Sequence, residues 1–499
     1  MDWSKRAAGL VLLAATLPAS AQDTSAKMQA EIDELRATVK ALQAEVTELK
    51  TSKQTVTSSQ PTIVAAPKTQ TQSAPLLPAP PLVPSESAKS AIPTGEVEPQ
   101  SLAVESSGAV RQSVSDNPTG ASRIDNEAPP TDPELKGFIQ IPDSLTKLRL
   151  GGYTKLDAIY DFNTIGNNEQ FVVPSIPVPR PPYDTGNFNL HARQTRFSLE
   201  VRHPTIFDQS MRFYLESDLY GGSSGQYQLR LRQAFGQLGN TYAGYGYSAL
   251  MDVDSLPDTL DFAGPGAAVF LLQPSIHQAF HVGKTGSITL SVERPASEIS
   301  TSVPGESVRG TQHLPDAVIA ARTEHPWGHL QLSGVLRQVG YDNGVQTDRS
   351  TAGGVVLGGA WNLQPDANRT DLLVFSGLWG KGIAHFNSEL GGSDLDAVVD
   401  SSGNVHPLES WGAYAGYTHY WNPDWRSNLV YGQNHVQESP WLATTAFRQS
   451  SYTATNLIWS PVPTLTMGME LIYGIYELQN GSSNHSTRIQ GSLQYNFIR

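Results

Sequence analysis

Short segments in which apolar and polar residues alternate fill residues 137–499, and they constrain the fold more than any other feature. About sixteen can be counted, each near the ~10 residues that a tilted membrane strand needs. In one of them, Phe213 and Leu215 fall on one face, and Arg212 and Glu216 on the other. A period of two is typical of a strand with two unlike faces. The pattern predicts an all-β domain.

The connections between these segments alternate in length. Short turns are predicted at Pro204, Gly239-Asn240, Thr285-Gly286, Pro326, Pro365, Asn422-Pro423 and Pro461 to Pro463. Longer loops lie between them, notably 163–193, 249–275, 295–315 and 383–408. Short turns at one end and long loops at the other are typical of an outer-membrane barrel. We therefore predict a transmembrane antiparallel β-barrel of about sixteen strands, although soluble sandwiches also alternate with shorter strands.

The N-terminus predicts export. Lys5 and Arg6 precede the apolar run 7–17, and Ala19-Ser20-Ala21 is a small-residue cleavage site. This arrangement is typical of a secretory signal peptide over residues 1–21. A bacterial outer-membrane location follows for the barrel, with the segment ahead of it in the periplasm.

Residues 22–50 carry a heptad seam, which predicts a short periplasmic coiled coil. Its members are Ile32, Leu35, Val39, Leu42, Val46 and Leu49, with Met28 ahead of them. β-branched residues at position a favour two strands, and a single amphipathic helix is the alternative. Residues 51–136 are rich in Pro, Ser and Thr, which predicts a flexible linker.

Composition excludes several classes of function. The chain has no cysteine, so thiolate metal sites and cysteine nucleophiles are excluded. A formal net charge of -13 argues against nucleic acid as a partner. The histidines show no metal-ligand spacing, and Gly221-Gly-Ser-Ser-Gly225 precedes a strand where a nucleophile elbow needs a helix. We predict no metal, no cofactor and no enzyme activity.

Basic residues on the polar faces of the strands predict an anion-attracting bore. The candidates are Lys155, Arg196, Arg202, Arg212, Arg230, Arg232 and Arg337. In the stretch QYQLRLRQAFG, Arg230 and Arg232 share one face, while Leu231 and Phe235 share the other. Guanidinium groups stay charged and bind carboxylates bidentately, so a ring of them attracts anions. The alternative is that they pair with Glu200, Glu216 and Asp218 and hold the wall together.

The loop 249–275 is the third on the long-loop side and is acidic. It contains Asp252, Asp254, Asp258 and Asp261 among many glycines and prolines. If this loop folds into the bore, its acids would face the arginine wall. An external loop is the alternative.

Several segments resemble the DcaP-like outer-membrane porins: 151–166, 193–202, 229–277 and 314–338. The stretch MDVDSLPDTLDFAGPG within them is not generic barrel sequence. The resemblance implies a homotrimeric sixteen-stranded porin for small anionic solutes, notably dicarboxylates. Where a typical member is expected to have arginine, in LLQPSIH, this chain has Leu272 and His277. His277 is therefore counted with the constriction, and only a modest anion preference is expected.

These features together predict a porin for passive diffusion of small hydrophilic solutes, with a modest preference for small anions. Its predicted partners are outer-membrane lipid, the solutes and two further copies of the chain. A phosphate-type or general porin is one alternative. A barrel that tethers the periplasmic coiled coil to the cell wall is another.

Overall fold

The structure is a computed structural model that describes residue 40 and residues 137–206, 209–303, 308–364 and 371–497. Of the first 136 residues it describes Lys40 alone, so the predicted signal peptide, heptad seam and linker lie outside the described residues. Within the described ranges, no helix has the length and apolar character needed to cross a bilayer.

The chain forms β-strands almost throughout the described domain. In order they are β1 Ile139–Gln140, β2 Lys147–Asp161, β3 Asn187–His191, β4 Arg196–Ile206, β5 Gln209–Gly221, β6 Gln228–Leu238, β7 Thr241–Tyr247, β8 Leu272–Val282, β9 Gly286–Glu293, β10 Ile299–Thr301, β11 Asp316–His325, β12 Gly328–Asp342, β13 Thr347–Asn362, β14 Leu372–Lys381, β15 Ala397–Val399, β16 Val405–Pro407, β17 Glu409–Tyr420, β18 Trp425–Val436, β19 Phe447–Val462, β20 Leu465–Leu478 and β21 Ser483–Asn496. Short 3-10 helices lie at Val173–Ser175, Val253–Ser255 and Ala384–Phe386.

Sixteen of these strands close into an antiparallel barrel; the five short strands β1, β3, β10, β15 and β16 are additional. Each barrel strand pairs with the next along the chain, and β2 closes the ring by pairing with β4 and β21. Closure satisfies the backbone hydrogen bonds that an open edge would leave exposed to lipid. The predicted barrel and its strand number are confirmed.

Strand β12 shows how the alternation produces the two faces. Leu332 and Leu336 point outward and are 57% and 63% exposed, whereas Gln331, Ser333 and Arg337 point inward and are buried. The outward face meets hydrocarbon and the inward face meets other protein groups. A slip of one residue would exchange the two faces.

The described connections at one end of the barrel are all short, as predicted, although 343–346 and 479–482 at the other end have only four residues each. Described examples are 239–240, 283–285, 326–327, 421–424 and 463–464. The prediction at Pro204 was wrong, because β4 continues to Ile206 through an irregular register after His203. The turn at Pro365 lies outside the described residues.

Strand β1 supports one edge of the barrel. The pairing of β21 with β2 begins at Tyr153, and the edge of β2 before that residue is partly covered by β1 through Ile139↔Leu148 and Gln140↔Lys147. The residues just before the barrel therefore extend its wall at the short-turn end.

Three loops from the opposite end fold into the barrel. Every residue from 246 to 271 is buried, which places the loop between β7 and β8 inside the barrel. The loop between β14 and β17 packs on it, where Phe270 N donates to Phe386 O at 2.9 Å. The loop between β2 and β4 approaches from another side, where Phe171 N donates to Asp261 Oδ1 at 3.0 Å. The interior is consequently narrowed from several directions.

Candidate functional site

The inner face of β2, β4, β5 and β6 carries a column of paired charges, which we call the arginine ladder. Six guanidinium groups share three carboxylates. The members are Arg149, Arg196, Arg202, Arg212, Arg230 and Arg232 with Glu200, Glu216 and Asp218. Antiparallel pairing brings them together, because Arg202 lies opposite Arg212 in the register. Cations therefore outnumber anions in this column.

Glu200 forms the layer of the ladder nearest the short-turn end. Its carboxylate accepts from Arg149 Nη2 at 2.6 Å and from Arg202 Nε at 2.7 Å, and it lies 2.9 Å from Arg212 Nε. Charge-assisted hydrogen bonds of this length are strong. A single carboxylate thus holds three arginines in place.

Glu216 and Asp218 form the layer nearer the long loops. Arg232 Nε donates to Glu216 Oε1 at 2.8 Å, and its Nη1 lies 3.4 Å from Asp218 Oδ2. Arg230 Nη2 donates to Asp218 Oδ2 at 2.5 Å. Arg196 Nη1 lies 3.7 Å from Glu216 Oε1. This layer is again a shared network with more cations than anions.

The two signs of charge differ in exposure. The side chains of Arg149, Arg202 and Arg230 are 23%, 13% and 22% exposed, while the carboxylates Glu200 and Asp218 are 2% and 0% exposed. The solvent-exposed charge of the ladder is therefore positive. The ion pairs of the alternative interpretation are present, and the anion-attracting interpretation stays a prediction.

Five of the seven predicted basic residues lie in the ladder, and Arg149 is a member that the prediction left out. Lys155 lies elsewhere: its Nζ donates to Gln194 Oε1 at 2.5 Å and to Leu260 O at 2.7 Å, and the side chain is 1% exposed. Lys155 thus holds the tip of the inward loop instead of facing the bore.

Arg337 also lies outside the ladder, on β12. Its guanidinium donates to Gly382 O at 2.6 Å and to Asp396 Oδ2 at 3.0 Å, and it lies 3.3 Å from Asp316 Oδ2. The side chain is fully buried. Its contacts anchor the loop between β14 and β17, so the predicted anion contact at Arg337 does not fit this structure.

A β-bulge in β6 corrects one predicted face. Glu216 pairs with Gln233 and Ser217 with Leu231, which leaves Arg232 as the extra residue. Arg232 and Gln233 are consequently both buried, and the alternation after them is inverted. Phe235 therefore points inward, where it is 2% exposed, and the prediction that it shares the outer face with Leu231 was wrong.

The loop between β7 and β8, residues 248–271, is called the inner loop below. Its predicted acids face arginines other than those of the ladder. Arg322 Nη1 donates to Asp252 Oδ1 at 2.9 Å and Arg322 Nη2 to Asp254 Oδ2 at 2.6 Å. Arg426 Nε donates to Asp258 Oδ2 at 2.5 Å. The expectation that these acids face the ladder was wrong, because β11 and β18 supply their partners.

The tip of the inner loop is fixed by hydrogen bonds to buried carboxylates. Glu470 accepts from Leu260 N at 2.9 Å and from Asp261 N at 2.8 Å. Asp261 in turn accepts from Phe171 N. Gly266 lies so close to Glu389 that an added Cβ would overlap that carboxylate. These contacts hold the loop across the barrel.

Two stacked rings join the inner loop to the ladder. Phe262 of the loop stacks on Tyr220 of β5 with ring centroids 4.5 Å apart and an angle of 15° between the planes. Arg193 and Arg230 lie over the Tyr220 ring at 4.9 Å and 5.1 Å. Guanidinium groups are attracted to the faces of aromatic rings. This contact therefore fixes the inner loop against β5 next to the ladder.

His277 lies in β8 and not in the loop, since β8 begins at Leu272. Its ring stacks on Tyr242 at 4.5 Å, and its Nε2 lies 3.8 Å from Glu293 Oε1. It is 1% exposed. The structure therefore separates His277 from the four aspartates with which it was grouped.

Sequence reasoning missed Arg322, Arg426 and Glu470. Each lies on the inner face of its strand, so the period-two pattern marks which way it points. The pattern carries no information about which inward charges meet, because the partners are 68 to 210 residues apart in sequence. Among the described residues, no group of three or more His, Asp or Glu side chains could hold a metal ion.

Comparison with known proteins adds a family to this geometry. The model of the DcaP outer membrane protein family matches residues 137–497. The crystal structure of the outer membrane channel DcaP of Acinetobacter baumannii has a TM-score of 0.63 at 20% identity, over 73% of this chain and 100% of that chain. This likeness shows a shared fold.

Other solved porins are more distant. The anion-selective porin from Comamonas acidovorans has a TM-score of 0.44 at 12% identity, over 70% of this chain and 100% of that chain. Salmonella typhi OmpF in complex with daunomycin has a TM-score of 0.46 at 10% identity, over 72% and 100% of the two chains. No curated protein sequence matches the chain.

Proposed function

The chain belongs to the DcaP outer membrane protein family, and we propose that this outer membrane channel passes small hydrophilic solutes by passive diffusion with a modest preference for small anions such as dicarboxylates. The observation that carries the proposal is the unequal exposure of charge on the ladder. Partly exposed guanidinium groups stand in front of buried carboxylates. A solute that moves along this wall meets positive charge.

The buried acids explain why the preference is modest. Three carboxylates neutralise part of the charge of six arginines, so the excess is much smaller than the number of arginines suggests. In a narrow bore, rings of basic side chains favour anions. A carboxylate can accept two parallel hydrogen bonds from one guanidinium group, which favours carboxylates over spherical anions.

The inner loop supplies the opposite side of the proposed constriction. Asp252, Asp254 and Asp258 are bound by Arg322 and Arg426, so they add little negative charge to the passage. The loop thus sets the width of the bore, and the ladder sets its charge. In this proposal His277 contributes packing against Tyr242.

The test is the reversal potential of single channels in a planar bilayer under a gradient of potassium chloride. We expect a potential with the sign of chloride preference, and a larger conductance for succinate than for a zwitterion of similar size. A cation-selective potential would overturn the anion preference. Bilayers that show no channel would overturn the porin function itself.

The assembly is part of the proposal. We expect three copies of the chain, with the periplasmic coiled coil of residues 22–50 assisting an interface between the barrels and the linker 51–136 joining the two. A heat-sensitive band near three chain masses on a denaturing gel would support this, whereas a band near two would favour the dimeric heptad interpretation. Removal of residues 22–50 should weaken the band without abolishing conductance.

A further inference from the structure

The partly exposed cations of the arginine ladder lie at its two ends. Arg149 and Arg202 belong to the Glu200 layer, near the short turns. Arg230 is bound to Asp218, near the long loops. The other three arginines of the ladder are buried: Arg196, Arg212 and Arg232. The accessible positive charge of the ladder is therefore divided into two patches.

The register of β4, β5 and β6 gives the distance between these two patches. Arg202 lies opposite Arg212 of β5, and Arg230 lies opposite Asp218 of the same strand. Arg212 and Asp218 are six residues apart, which at ~3.3 Å per residue places the patches about 20 Å apart along the wall. The Debye length at physiological ionic strength is only ~8 Å. Anions held at the two patches would therefore scarcely repel each other.

The patch at the short-turn end holds two guanidinium groups on one carboxylate. Arg149 Nη2 and Arg202 Nε donate to different oxygens of the buried Glu200. The ring of Phe138 packs on Arg149, whose Cζ lies 4.9 Å from the ring centroid. Guanidinium groups are attracted to aromatic faces, so the ring and the carboxylate orient Arg149 together. This patch offers two oriented, partly exposed cations, whereas the long-loop end of the ladder offers one, Arg230.

We propose that the ladder has two separate carboxylate-binding sites, one at each end, and that two solute anions occupy them at the same time. This inference rests on the proposed function, because it concerns the same wall and the same class of solute. A small dicarboxylate such as succinate is too short to reach both patches, so each molecule binds at one end. Two oriented guanidinium groups offer a carboxylate more charge-assisted hydrogen bonds than one does. The site at the short-turn end therefore has the higher affinity.

Block of the chloride current by succinate tests whether there are two sites. The full chain is inserted into a planar bilayer, and succinate is added to one side at a time. The voltage dependence of the block gives the fraction of the membrane field that succinate crosses to reach its site. Two sites predict that succinate crosses less than half of the field from either side and blocks more tightly from the short-turn side. A single central site predicts about half of the field from both sides, and that result would overturn the proposal.

Substitutions assign each side of the bilayer to one end of the ladder. Arg202→Gln should weaken the block from one side and Arg230→Gln the block from the opposite side. Each change should be about twofold to fivefold, as for the loss of an exposed ion pair. Arg180→Gln should change neither, because Arg180 lies on a loop and is bound to Asp184. Equal weakening from both sides in Arg202→Gln and in Arg230→Gln would show that they share one site.

Phe138→Leu tests the site at the short-turn end without removing a charge. Phe138 lies ahead of β1, so we expect the barrel to fold without its ring. The block should weaken from the same side as in Arg202→Gln, by about twofold, because Arg149 loses the aromatic face. Ile139→Leu is the control, since Ile139 is 67% exposed, and it should leave the block unchanged. If both Arg202→Gln and Phe138→Leu bind succinate as the wild type does, the site at the short-turn end does not exist.

The same recordings separate failure of this inference from failure of the proposed function. Channels that prefer cations, or bilayers that show no channel, would overturn both. Channels that prefer anions but bind succinate at a single site would overturn the two-site inference and leave the proposed function standing.

Discussion

Arg230 and Asp218 face each other across β5 and β6 and share two hydrogen bonds, Nε to Oδ1 at 3.0 Å and Nη2 to Oδ2 at 2.5 Å. Water reaches the two partners unequally, because the Arg230 side chain is 22% exposed and that of Asp218 is not exposed at all. The carboxylate orients the guanidinium group from behind. A passing ion is closer to the cation than to the anion of the pair.

Arg230→Gln should lower the ratio of anion to cation permeability. A unit charge about 8 Å from the path of an ion changes its energy by ~0.5 kcal/mol at the dielectric constant of water, so the ratio should fall about twofold. The reversal potential of single channels measures the change. Arg180→Gln is the control, because Arg180 lies on a loop and is 53% exposed beside Asp184. An equal shift of the reversal potential in both variants would show that the ladder is not the origin of the shift.

Asp218→Asn should change the permeability ratio in the opposite direction. The amide keeps the shape of the side chain but removes its negative charge, so the exposed cation beside it is less neutralised. The anion preference should rise by a similar factor, about twofold. Arg232 keeps Glu216 as a partner at 2.8 Å, so we expect the barrel to fold. If Asp218→Asn and Arg230→Gln shift the reversal potential in the same direction, the assignment of charge to the bore is wrong.

Glu470→Ala should loosen the inner loop. The substitution leaves Leu260 N and Asp261 N without their acceptor, and each unsatisfied buried group costs ~1–3 kcal/mol. We expect noisier single-channel currents and faster proteolysis within residues 248–271. Glu438→Ala removes a carboxylate that is 64% exposed, and it should leave both observations unchanged. If the single-channel currents of Glu470→Ala are no noisier than those of the wild type, other contacts suffice to hold the loop.

Glu298 lies in the loop between β9 and β10, and it should make the packing of this loop against the loop between β14 and β17 depend on pH. Burial, with added repulsion from Asp396 and Asp394, raises the pKa of Glu298 to about 8. The folded state thus binds this proton more tightly than the unfolded chain does. The contribution to stability is full below the ordinary carboxyl pKa and is lost as the pH rises through about 8.

Hydrogen exchange measures this effect where Glu298 meets the loop between β14 and β17. Asp396 N donates to Glu298 O at 2.9 Å, and Gly392 N donates to Glu298 Oε2 at 2.7 Å. After correction for the intrinsic rate, exchange at these amides should accelerate between pH 6 and pH 9. Glu298→Gln should abolish the dependence, and a variant that retains it would locate the titrating group elsewhere.

The fold could be predicted because the alternation within each strand determines which of its residues point inward and which point outward. Leu332 beside Gln331 is sufficient to orient β12, and sixteen such patterns with alternating connections define a barrel. The face of Phe235 could not be predicted in this way. A single extra residue at Arg232 inverts the alternation, and a bulge leaves no simple mark in the pattern of apolar and polar residues.

The site could be predicted in part for a related reason. The alternation within β4 and β5 determines that Arg202 and Arg212 point inward. The hairpin formed by these two strands places them next to each other. The partners of Asp252 and Asp258 depend on where a buried loop crosses the barrel, which the sequence pattern does not encode. Arg337 was predicted to face the bore and does point inward, but the loop between β14 and β17 surrounds it.

The seam between β2 and β21 has a consequence for how quickly the native state is reached. Ser492 Oγ donates to Asp157 Oδ1 at 2.5 Å across this seam, and the two residues are 335 positions apart in sequence. In every other neighbouring pair of the ring the two strands follow each other along the chain. This contact instead joins β2 and β21, the first and last strands of the barrel. Folding rates fall as contacts become more distant in sequence. Ring closure at this seam is therefore expected to be a slow, late step of folding, and until it occurs both outer strands remain unpaired edges that require protection from aggregation.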